Sequence, residues 1–169
     1  TSREAGDLFL YMATRKGTVK KVALHAFANL RNKEIIAITL NEGDELIRVR
    51  LAGEKDNVIL TTRKGKSAYF SGKRIRSMGR AAIGCRGITL AKEDYLIDLS
   101  LVQPDSGEDL LLITENGSGK RTPIKSYRLT KTRGGKGVKS INLSKERGNV
   151  ISVKVVKERD ELVIISQKG

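Results

Sequence analysis

The residues of this sequence that can do chemistry are mainly lysines and arginines, and they are unevenly spread. Three stretches, residues 8–33, 57–92 and 116–145, contain 24 Lys and Arg residues and no Asp or Glu. The rest of the chain holds nine bases and all 19 acids, and the formal net charge of the 169 residues is +14 at pH 7. Bases that recur without acids between them suit phosphate groups, whose recognition is electrostatic and independent of base sequence.

A charge of this size indicates a polyanionic partner, with nucleic acid ahead of an anionic membrane surface. The membrane alternative is disfavoured because the bases fall on turn and loop residues rather than at helical spacing. Only seven residues are aromatic, which disfavours single strands, and no recognition helix for base readout is evident. The remaining hypothesis is that the basic stretches contact the backbone of a DNA duplex along a curved surface. The alternative is that they form an ordinary solvated surface.

Two loops combine glycine with arginine, at residues 78–87 and 133–137. Their glycines would let the backbone approach phosphates closely while Arg and Lys contact them. The alternative is that they are only tight connections between strands. We favour the phosphate-binding role.

No motif in the sequence predicts a catalytic or metal site. The Gly-Ser-Gly-Lys-Arg-Thr segment at residues 117–122 resembles a phosphate-binding loop, but Arg121 replaces the Ser or Thr that should follow the Lys. The single histidine, His25, has no recognisable triad partner, and the single cysteine, Cys85, is expected to be a packing thiol. One Cys and one His cannot supply four zinc ligands, and one Cys excludes a disulfide framework.

A tandem repeat positions these charges. Residues 8–17, 57–65, 109–117 and 161–169 each read as an apolar run, then Thr or Ser, two polar residues and Gly. The glycines are spaced 48, 52 and 52 residues apart. A second marker, Ile-x-Leu at residues 38–40, 88–90 and 141–143, recurs 50 and 53 residues apart. Because the repeats stack in one orientation, their basic parts should recur along one side of the assembly.

Each repeat reads as four β-strands. A short apolar strand turns at its Gly, a second strand returns, the Ile-x-Leu segment forms a third strand, and a longer strand such as residues 45–51 or 95–99 follows. Four strands in about 50 residues is typical of one blade of a radial β architecture, although an irregular sandwich could use similar strands.

We therefore predict one all-β domain, or a fragment of one, over residues 1–169. The predicted repeats are approximately 7–54, 55–106 and 107–158, with the start of a fourth at 159–169. Radial folds typically close with about 4–8 blades, so we expect a piece of a longer domain rather than a short closed ring. No apolar run reaches the roughly 18 residues of a spanning helix, which predicts a soluble, cytoplasmic protein.

Four parts of the chain carry distinctive motifs: Met-Ala-Thr-Arg-Lys-Gly-Thr-Val-Lys-Lys at 12–21, Glu-Gly-Asp-Glu-Leu-Ile at 42–47, Arg-Ser-Met-Gly-Arg at 76–80 with Gly-Cys-Arg-Gly-Ile at 84–88, and Thr-Glu-Asn-Gly-Ser-Gly-Lys-Arg-Thr-Pro at 114–123. In this combination of motifs, the chain resembles the C-terminal domain of the bacterial DNA gyrase A subunit. The resemblance covers essentially the whole sequence. It implies a β-pinwheel, a propeller-like disc of four-stranded blades, of which this chain looks like the middle and later blades.

Two departures from the family limit what the resemblance implies. The gyrase A box, a Gln-Arg-Arg-Gly-Gly-Lys/Arg-Gly heptad needed for wrapping, belongs to a first blade that we expect to lie outside this sequence. Residues 131–137 match five of its seven positions, but at what looks like a later blade. The breakage-and-reunion module with its catalytic tyrosine also lies outside the chain, so cleavage, Mg²⁺ use and ATP hydrolysis are expected of the rest of the enzyme and its B subunit.

The function implied by the resemblance is non-sequence-specific binding and wrapping of duplex DNA, in an A2B2 gyrase holoenzyme associated with the nucleoid, without a cofactor or metal in this chain. The alternatives are the equivalent domain of topoisomerase IV and a propeller-like scaffold for acidic protein partners. The expected phosphate contacts are Arg15, Lys16, Lys20, Lys21, Arg63, Lys64, Lys66, Arg76, Arg80, Arg86, Lys120, Arg121, Arg133, Lys136 and Lys139.

Overall fold

The computed structural model describes residues 8–28 and 34–165. Within them the strands are β1 (Leu8–Thr14), β2 (Thr18–Ala23), β3 (Leu46–Gly53), β4 (Asn57–Thr62), β5 (Lys66–Ser71), β6 (Cys85–Arg86), β7 (Leu96–Val102), β8 (Asp109–Thr114), β9 (Gly119–Pro123), β10 (Val138–Lys139) and β11 (Val150–Val156). The helical segments of the same residues are single 3-10 turns at Leu24–Phe27, Gly72–Arg74 and Ile124–Ser126. The all-β prediction is confirmed.

Each repeat begins with an antiparallel hairpin, as the sequence predicts: β1 pairs with β2, β4 with β5, and β8 with β9. The apolar strand of each hairpin is largely buried, and the turn closes at a glycine in the left-handed region. The φ angles of Gly17, Gly65 and Gly117 are 86°, 76° and 81°. A side chain at these positions would strain the turn, which explains why the glycine marks the repeat.

The long last strand of each repeat pairs with the first strand of the same repeat, on the side away from the hairpin partner. The orders are β3-β1-β2 in the first sheet, β7-β4-β5 in the second and β11-β8-β9 in the third. Strand β7 contacts both β3 and β11, so these three strands form the inner edges of neighbouring sheets. The buried Asp98 of β7 crosses this boundary, where it accepts a hydrogen bond from Arg48 Nε of β3 at 2.7 Å.

The sheets pack face to face through two apolar clusters. One contains Tyr11 and Val19 of the first repeat with Leu60 of the second, and the other contains Ile59 of the second repeat with Leu110 of the third. Successive residues of a strand face opposite sides of the sheet, so Ile59 and Leu60 belong to different clusters. Strand β4 is buried on both faces, which makes the second sheet the centre of the described structure.

The outer strand of each complete sheet comes from the next repeat. Strand β6 pairs with β2, with Cys85 opposite Val19, and β10 pairs with β5, with Val138 opposite Ser67. The third sheet has three strands in the described part of the chain. Four-stranded blades are therefore built by exchange between neighbours, a feature that the spacing of motifs does not reveal.

The prediction that Ile-x-Leu forms a strand is wrong. Residues 38–40, 88–90 and 141–143 lie outside every strand. Instead, the segment covers the hairpin turn of the preceding repeat: Gly87 N donates to Gly17 O at 2.8 Å, and Ser140 N donates to Gly65 O at 2.9 Å. The isoleucines that follow, Ile88 and Ile141, are buried against these turns. The markers at 88–90 and 141–143 therefore recur because each belongs to the segment that covers the turn of the repeat before it.

The last predicted segment is only partly described. Residues 161–165 lie in no strand, and Leu162, Val163, Ile164 and Ile165 are exposed. Residues 166–169 lie outside the described residues, so the start of a fourth repeat remains a prediction. No helix among the residues placed here is long and apolar enough to cross a membrane.

Candidate nucleic-acid interface

The outer rim of the described structure is made by two basic connections. The chain leaves β5 at residue 72, runs beside β2, where Met78 N donates to Lys21 O, and pairs there as β6 up to residue 86. Residues 124–139 run in the same way beside β5 and end in β10. We call residues 72–86 and 124–139 the outer connections. Both lie in acid-free stretches, so every charged side chain of the outer connections is positive.

Six of the fifteen expected phosphate contacts have neither an ion pair nor a hydrogen bond from their side chain to any residue that the structure describes. Five of them lie on the outer connections, and the sixth begins β5. All are at least partly exposed to solvent. They are Lys66, Arg76, Arg80, Arg86, Lys136 and Lys139.

Two of these six lie directly opposite each other. Lys66 of β5 is the register partner of Lys139 of β10. The corresponding pair of the first sheet is Thr18 with Arg86, which holds one positive charge. Like charges at directly opposite positions of an antiparallel pair are destabilising. An anion between them would remove that cost.

The cations at the hairpin turns differ from those of the rim, because acids hold them. Arg15 Nη1 donates to Glu45 Oε1 at 3.0 Å, and Arg63 Nη2 donates to Glu115 Oε1 at 3.1 Å. The Arg15 guanidinium also lies over the Tyr95 ring, with its Cζ 3.9 Å from the ring centroid. These arginines join neighbouring repeats, and their charge is largely compensated.

Five more of the expected contacts are tethered within the chain while remaining exposed. The ammonium groups of the Lys that precedes or follows the turn donate to backbone carbonyls: Lys16 to Glu42, Lys64 to Lys92 and Lys120 to Ser140. Arg121 binds Asp109 and Glu158, which raise the pKa of its guanidinium. Arg133 donates to the carbonyls of Arg74 at 3.0 Å and Arg86 at 2.8 Å.

The expectation that Lys20 and Lys21 contact phosphate is corrected by the structure, because both side chains are buried. Lys20 is 0% exposed, and its Nζ donates to the carbonyls of Ala37, Arg80 and Ala82. Lys21 is 1% exposed, and its Nζ lies 3.5 Å from Glu54 Oε1. Burial lowers the pKa of both, and Glu54 partly opposes this for Lys21. In this arrangement neither ammonium can reach a phosphate.

Five further exposed bases lie on the outer connections and are not among the expected phosphate contacts. The signal available in the sequence was the extent of the acid-free stretches, which contain all of them. The missed residues are Lys73, Arg74, Lys125, Arg128 and Lys131.

The other two residues that the sequence analysis considered for chemistry are Cys85 and His25. Cys85 lies on β6, with its Sγ 3.5 Å from Val19 O of β2, and burial raises the pKa of the Cys85 thiol. His25 is exposed in the first 3-10 turn. Residues 8–28 and 34–165 contain no group of three or more His, Cys, Asp or Glu side chains arranged to hold a metal ion.

Comparison with known proteins gives a consistent result. The family model described as "DNA gyrase C-terminal domain, beta-propeller" matches residues 9–52, 56–103 and 108–157. The DNA gyrase A subunits of Staphylococcus aureus strains MRSA252 and NCTC 8325 are 38% identical over 166 residues, which is 98% of this chain and 19% of each relative. The chain thus spans about a fifth of the length of these relatives.

Two solved structures share the architecture. The first, described as the structure of a DNA gyrase A C-terminal domain, superposes with a TM-score of 0.79 at 26% identity, over 90% of this chain and 50% of that one. The second, the C-terminal domain of DNA topoisomerase IV, gives a TM-score of 0.82 at 23% identity, over 90% of this chain and 47% of that one. The predicted propeller-like fold is confirmed.

Proposed function

Because the chain belongs to the family of DNA gyrase C-terminal domains, we propose that it binds duplex DNA without sequence specificity and bends it along the outer connections. The main support for this proposal is the like-charged pair of Lys66 and Lys139 on the rim. No acid among the described residues neutralises this pair. A protein surface tolerates such a pair when its ligand is a polyanion. The phosphate backbone provides anions at regular spacing along one strand.

Bending follows from the shape of the rim. In a propeller-like fold, successive blades are arranged radially around a common axis. The outer edges of the first and second sheets, which belong to neighbouring blades, therefore follow an arc rather than a straight line. A duplex that contacts both edges must curve toward the protein. Smooth bending of 20–30 base pairs by 40–90° costs about 1–6 kcal/mol, which several phosphate contacts can offset.

In the longer protein, the domain would act as an accessory to the topoisomerase reaction. By bending a DNA segment with one constant handedness, the domain would direct strand passage toward negative supercoiling. The breakage-and-reunion module with the active-site tyrosine, the B subunit in an A2B2 assembly, Mg²⁺ and ATP would be supplied outside this chain, in the cytoplasm at the nucleoid. This chain would contribute phosphate contacts and no catalytic group or cofactor.

The proposal is tested by the salt dependence of binding to a labelled duplex of about 30 base pairs. If six phosphates are neutralised, log K should fall with log salt with a slope of about −5. A chain that binds duplex with a flat salt dependence, or that prefers an acidic protein to the duplex, would contradict the proposal and favour the scaffold alternative.

A matched pair of triple variants tests the position of the interface. Replacing Lys66, Arg86 and Lys139 by Gln removes three rim charges, and replacing Lys16, Lys64 and Lys120 by Gln removes three tethered ones. The slope should become shallower by about 2.7 in the first variant and by much less in the second. An equal change would show that net charge, rather than the rim, determines binding.

The gyrase and topoisomerase IV versions differ in their effect on DNA topology. Relaxed circles closed by ligase in the presence of the full-length protein should gain a linking difference of constant sign if the domain wraps DNA. Circles that bind but gain none would favour the topoisomerase IV reading.

A further inference from the structure

A buried ammonium lies beneath the first outer connection. Lys20, on β2, donates from Nζ to Ala37 O at 2.9 Å, to Ala82 O at 2.8 Å and to Arg80 O. These three bonds use all three N–H groups of the ammonium. No carboxylate among the described residues forms an ion pair with it, and the groups that the structure places around its charge are these three carbonyl dipoles.

The carbonyls that Lys20 binds belong to two different repeats. Ala37 precedes the inner strand of the first repeat, whereas Arg80 and Ala82 lie at the tip of the outer connection from the second repeat. Thr39 holds the same tip: its hydroxyl donates to Ala81 O at 2.6 Å, and its N–H donates to Ala82 O at 3.4 Å. Lys20 and Thr39 therefore hold three successive carbonyls of the tip by hydrogen bonds. The Arg80 side chain is half-exposed and forms no hydrogen bond with the described residues.

The second outer connection has the same architecture with one exchange. Thr89 takes the role of Thr39, since its hydroxyl and N–H donate to Gly134 O at 2.6 Å and to Gly135 O at 2.9 Å. Ala68 takes the position of Lys20. Each lies opposite the fourth of the five paired residues of the first strand: Met12 pairs with Lys20, and Leu60 pairs with Ala68.

The missing ammonium is replaced by the arginine of the tip itself. Arg133 donates from Nε to Arg74 O at 3.0 Å and from Nη1 to Arg86 O at 2.8 Å. The backbone of the next residue adds to this attachment, since Gly134 N donates to Gly87 O at 2.8 Å. Where a lysine lies under the tip, the tip arginine is free. Where alanine takes its place, the tip arginine is used to hold the loop.

We propose that Lys20 is a positioning residue that leaves Arg80 available to a DNA phosphate by taking over the anchoring that Arg133 performs for itself in the next blade. This rests on the proposed function, and it assigns unequal roles to two arginines that the repeat makes equivalent. Arg80 contacts the duplex through a fixed loop, and Arg133 contributes mainly to the structure of its own loop.

The test is a double-mutant cycle on duplex binding by the full chain, measured by anisotropy across salt concentrations. R80Q should make the salt slope shallower by about 0.9. K20M should weaken binding without adding to R80Q, so that the double variant K20M/R80Q has the slope and affinity of R80Q alone. If Lys20 contacted phosphate directly, the double variant would lose about twice the slope change of R80Q. Additive losses would overturn the proposal.

The matched control is K21M, which removes a neighbouring buried ammonium that binds Glu54 and Gly72 O rather than the tip. Its effect on affinity should be the same with and without R80Q. An equal coupling of K21M to R80Q would mean that general destabilisation of β2 produces the effect, which would also overturn the proposal.

A variant at the exposed Thr39 keeps the proposal testable if K20M does not fold. T39V removes the hydroxyl bond to Ala81 O and should lose affinity in the parent but not in R80Q. T89V, the counterpart under the Arg133 tip, should lose the same small amount in both backgrounds. A parent chain that does not bind duplex in a salt-dependent way would contradict the proposed function itself, whereas salt-dependent binding with additive cycles would contradict only the role of Lys20.

Discussion

Lys66 and Lys139 come from different repeats and face each other at one register position of the second sheet. The exchange of the outer strand creates this pair, because neither repeat alone contains both residues. The first sheet has Thr18 and Arg86 at the same position. The blades therefore differ in how much charge they concentrate at one point of the rim.

Replacing Lys66 by Thr should stabilise the free chain while weakening its binding to DNA. The variant copies the Thr18–Arg86 pair, and removal of a like-charge repulsion across two strands should raise the free energy of unfolding by about 0.2–1 kcal/mol. Urea unfolding at low salt measures the gain, which should shrink at high salt. Duplex binding should lose about 0.9 of salt slope.

The reverse substitution, Thr18→Lys, is the control for this pair. It creates the same repulsion with Arg86 and should destabilise the chain at low salt by a similar amount. Strand propensity predicts the same two signs, because Thr favours strands more than Lys does, but its effect does not depend on salt. A gain and a loss that do not shrink at high salt would show that propensity, rather than charge, controls this position.

Replacing Asp98 by Ala should loosen the boundary between the first two sheets. The carboxylate is buried and accepts from Arg48 Nε at 2.7 Å and Ser100 Oγ at 2.5 Å, so its loss leaves both donors without an acceptor. Because Arg48 is partly exposed, we expect a loss of about 1–3 kcal/mol rather than that of a fully buried pair. Chemical unfolding of the purified chain measures the loss.

Glu158→Ala is the matched control for Asp98. Glu158 also binds an arginine, Arg121, but its side chain is 87% exposed. Exposed ion pairs contribute little, so this variant should change the free energy of unfolding by no more than about 0.5 kcal/mol. If the two variants lost the same stability, burial of Asp98 would not be the cause.

The local parts of the fold could be predicted from the sequence, and the exchange between repeats could not. The hairpin at residues 57–71 follows from an apolar run, a glycine and a second run, all within one repeat. The pairing of Val138 with Ser67 joins residues far apart in the chain, and a two-residue strand such as β10 has no pattern of its own. Propensity cannot detect a strand that short.

The same limit applies to the candidate site. The acid-free stretches predict a basic rim, because charge is a property of composition. Lys20 and Lys21 look like surface bases in the sequence, since an alternating strand should expose one of two neighbours. Both are buried because the outer connection covers one face of β2 and the core covers the other. Only the folded arrangement provides the carbonyls that accept hydrogen bonds from Lys20 and the Glu54 carboxylate that pairs with Lys21.

Glu115 should make the contact between the second and third repeats sensitive to acid. Hydrogen bonds from the backbone and side chain of Asn149, then from Arg63, hold the pKa of this carboxyl below the usual glutamate value of about 4.3. A depressed pKa means that the folded chain binds fewer protons than the unfolded chain in this range. Its stabilising contribution is therefore present above about pH 5 and is lost as the pH falls through the lower folded value.

Carbon NMR can follow the titration of the Glu115 carboxyl over roughly pH 2–6, where carboxyl groups titrate. The midpoint should lie below that of an ordinary glutamate. E115Q should flatten the decline of stability with falling pH, and E146Q removes the same charge at a side chain without a hydrogen bond to the described residues. An ordinary midpoint for Glu115 would contradict the role of Asn149.

Two glycines of the 131–137 loop give the last prediction. Gly137 has a φ of 68°, and a Cβ there would lie 2.8 Å from Ser67 O, where β10 joins β5. Gly135 has an ordinary φ, and a Cβ there would meet nothing within 4 Å. Adding one methyl group at Gly137 disturbs the contact between this loop and β5, whereas adding one at Gly135 changes the loop without disturbing that contact.

Gly137→Ala should cost about 1–3 kcal/mol of stability and weaken duplex binding, because the strain and the contact with Ser67 displace β10 and with it Lys139. Gly135→Ala should leave both properties near those of the parent. Urea unfolding and salt-dependent anisotropy on the two variants measure this. If Gly135→Ala reduced binding while stability stayed constant, the duplex backbone would have to approach that glycine closely, and the loop would bind DNA through its own backbone rather than by carrying Lys139.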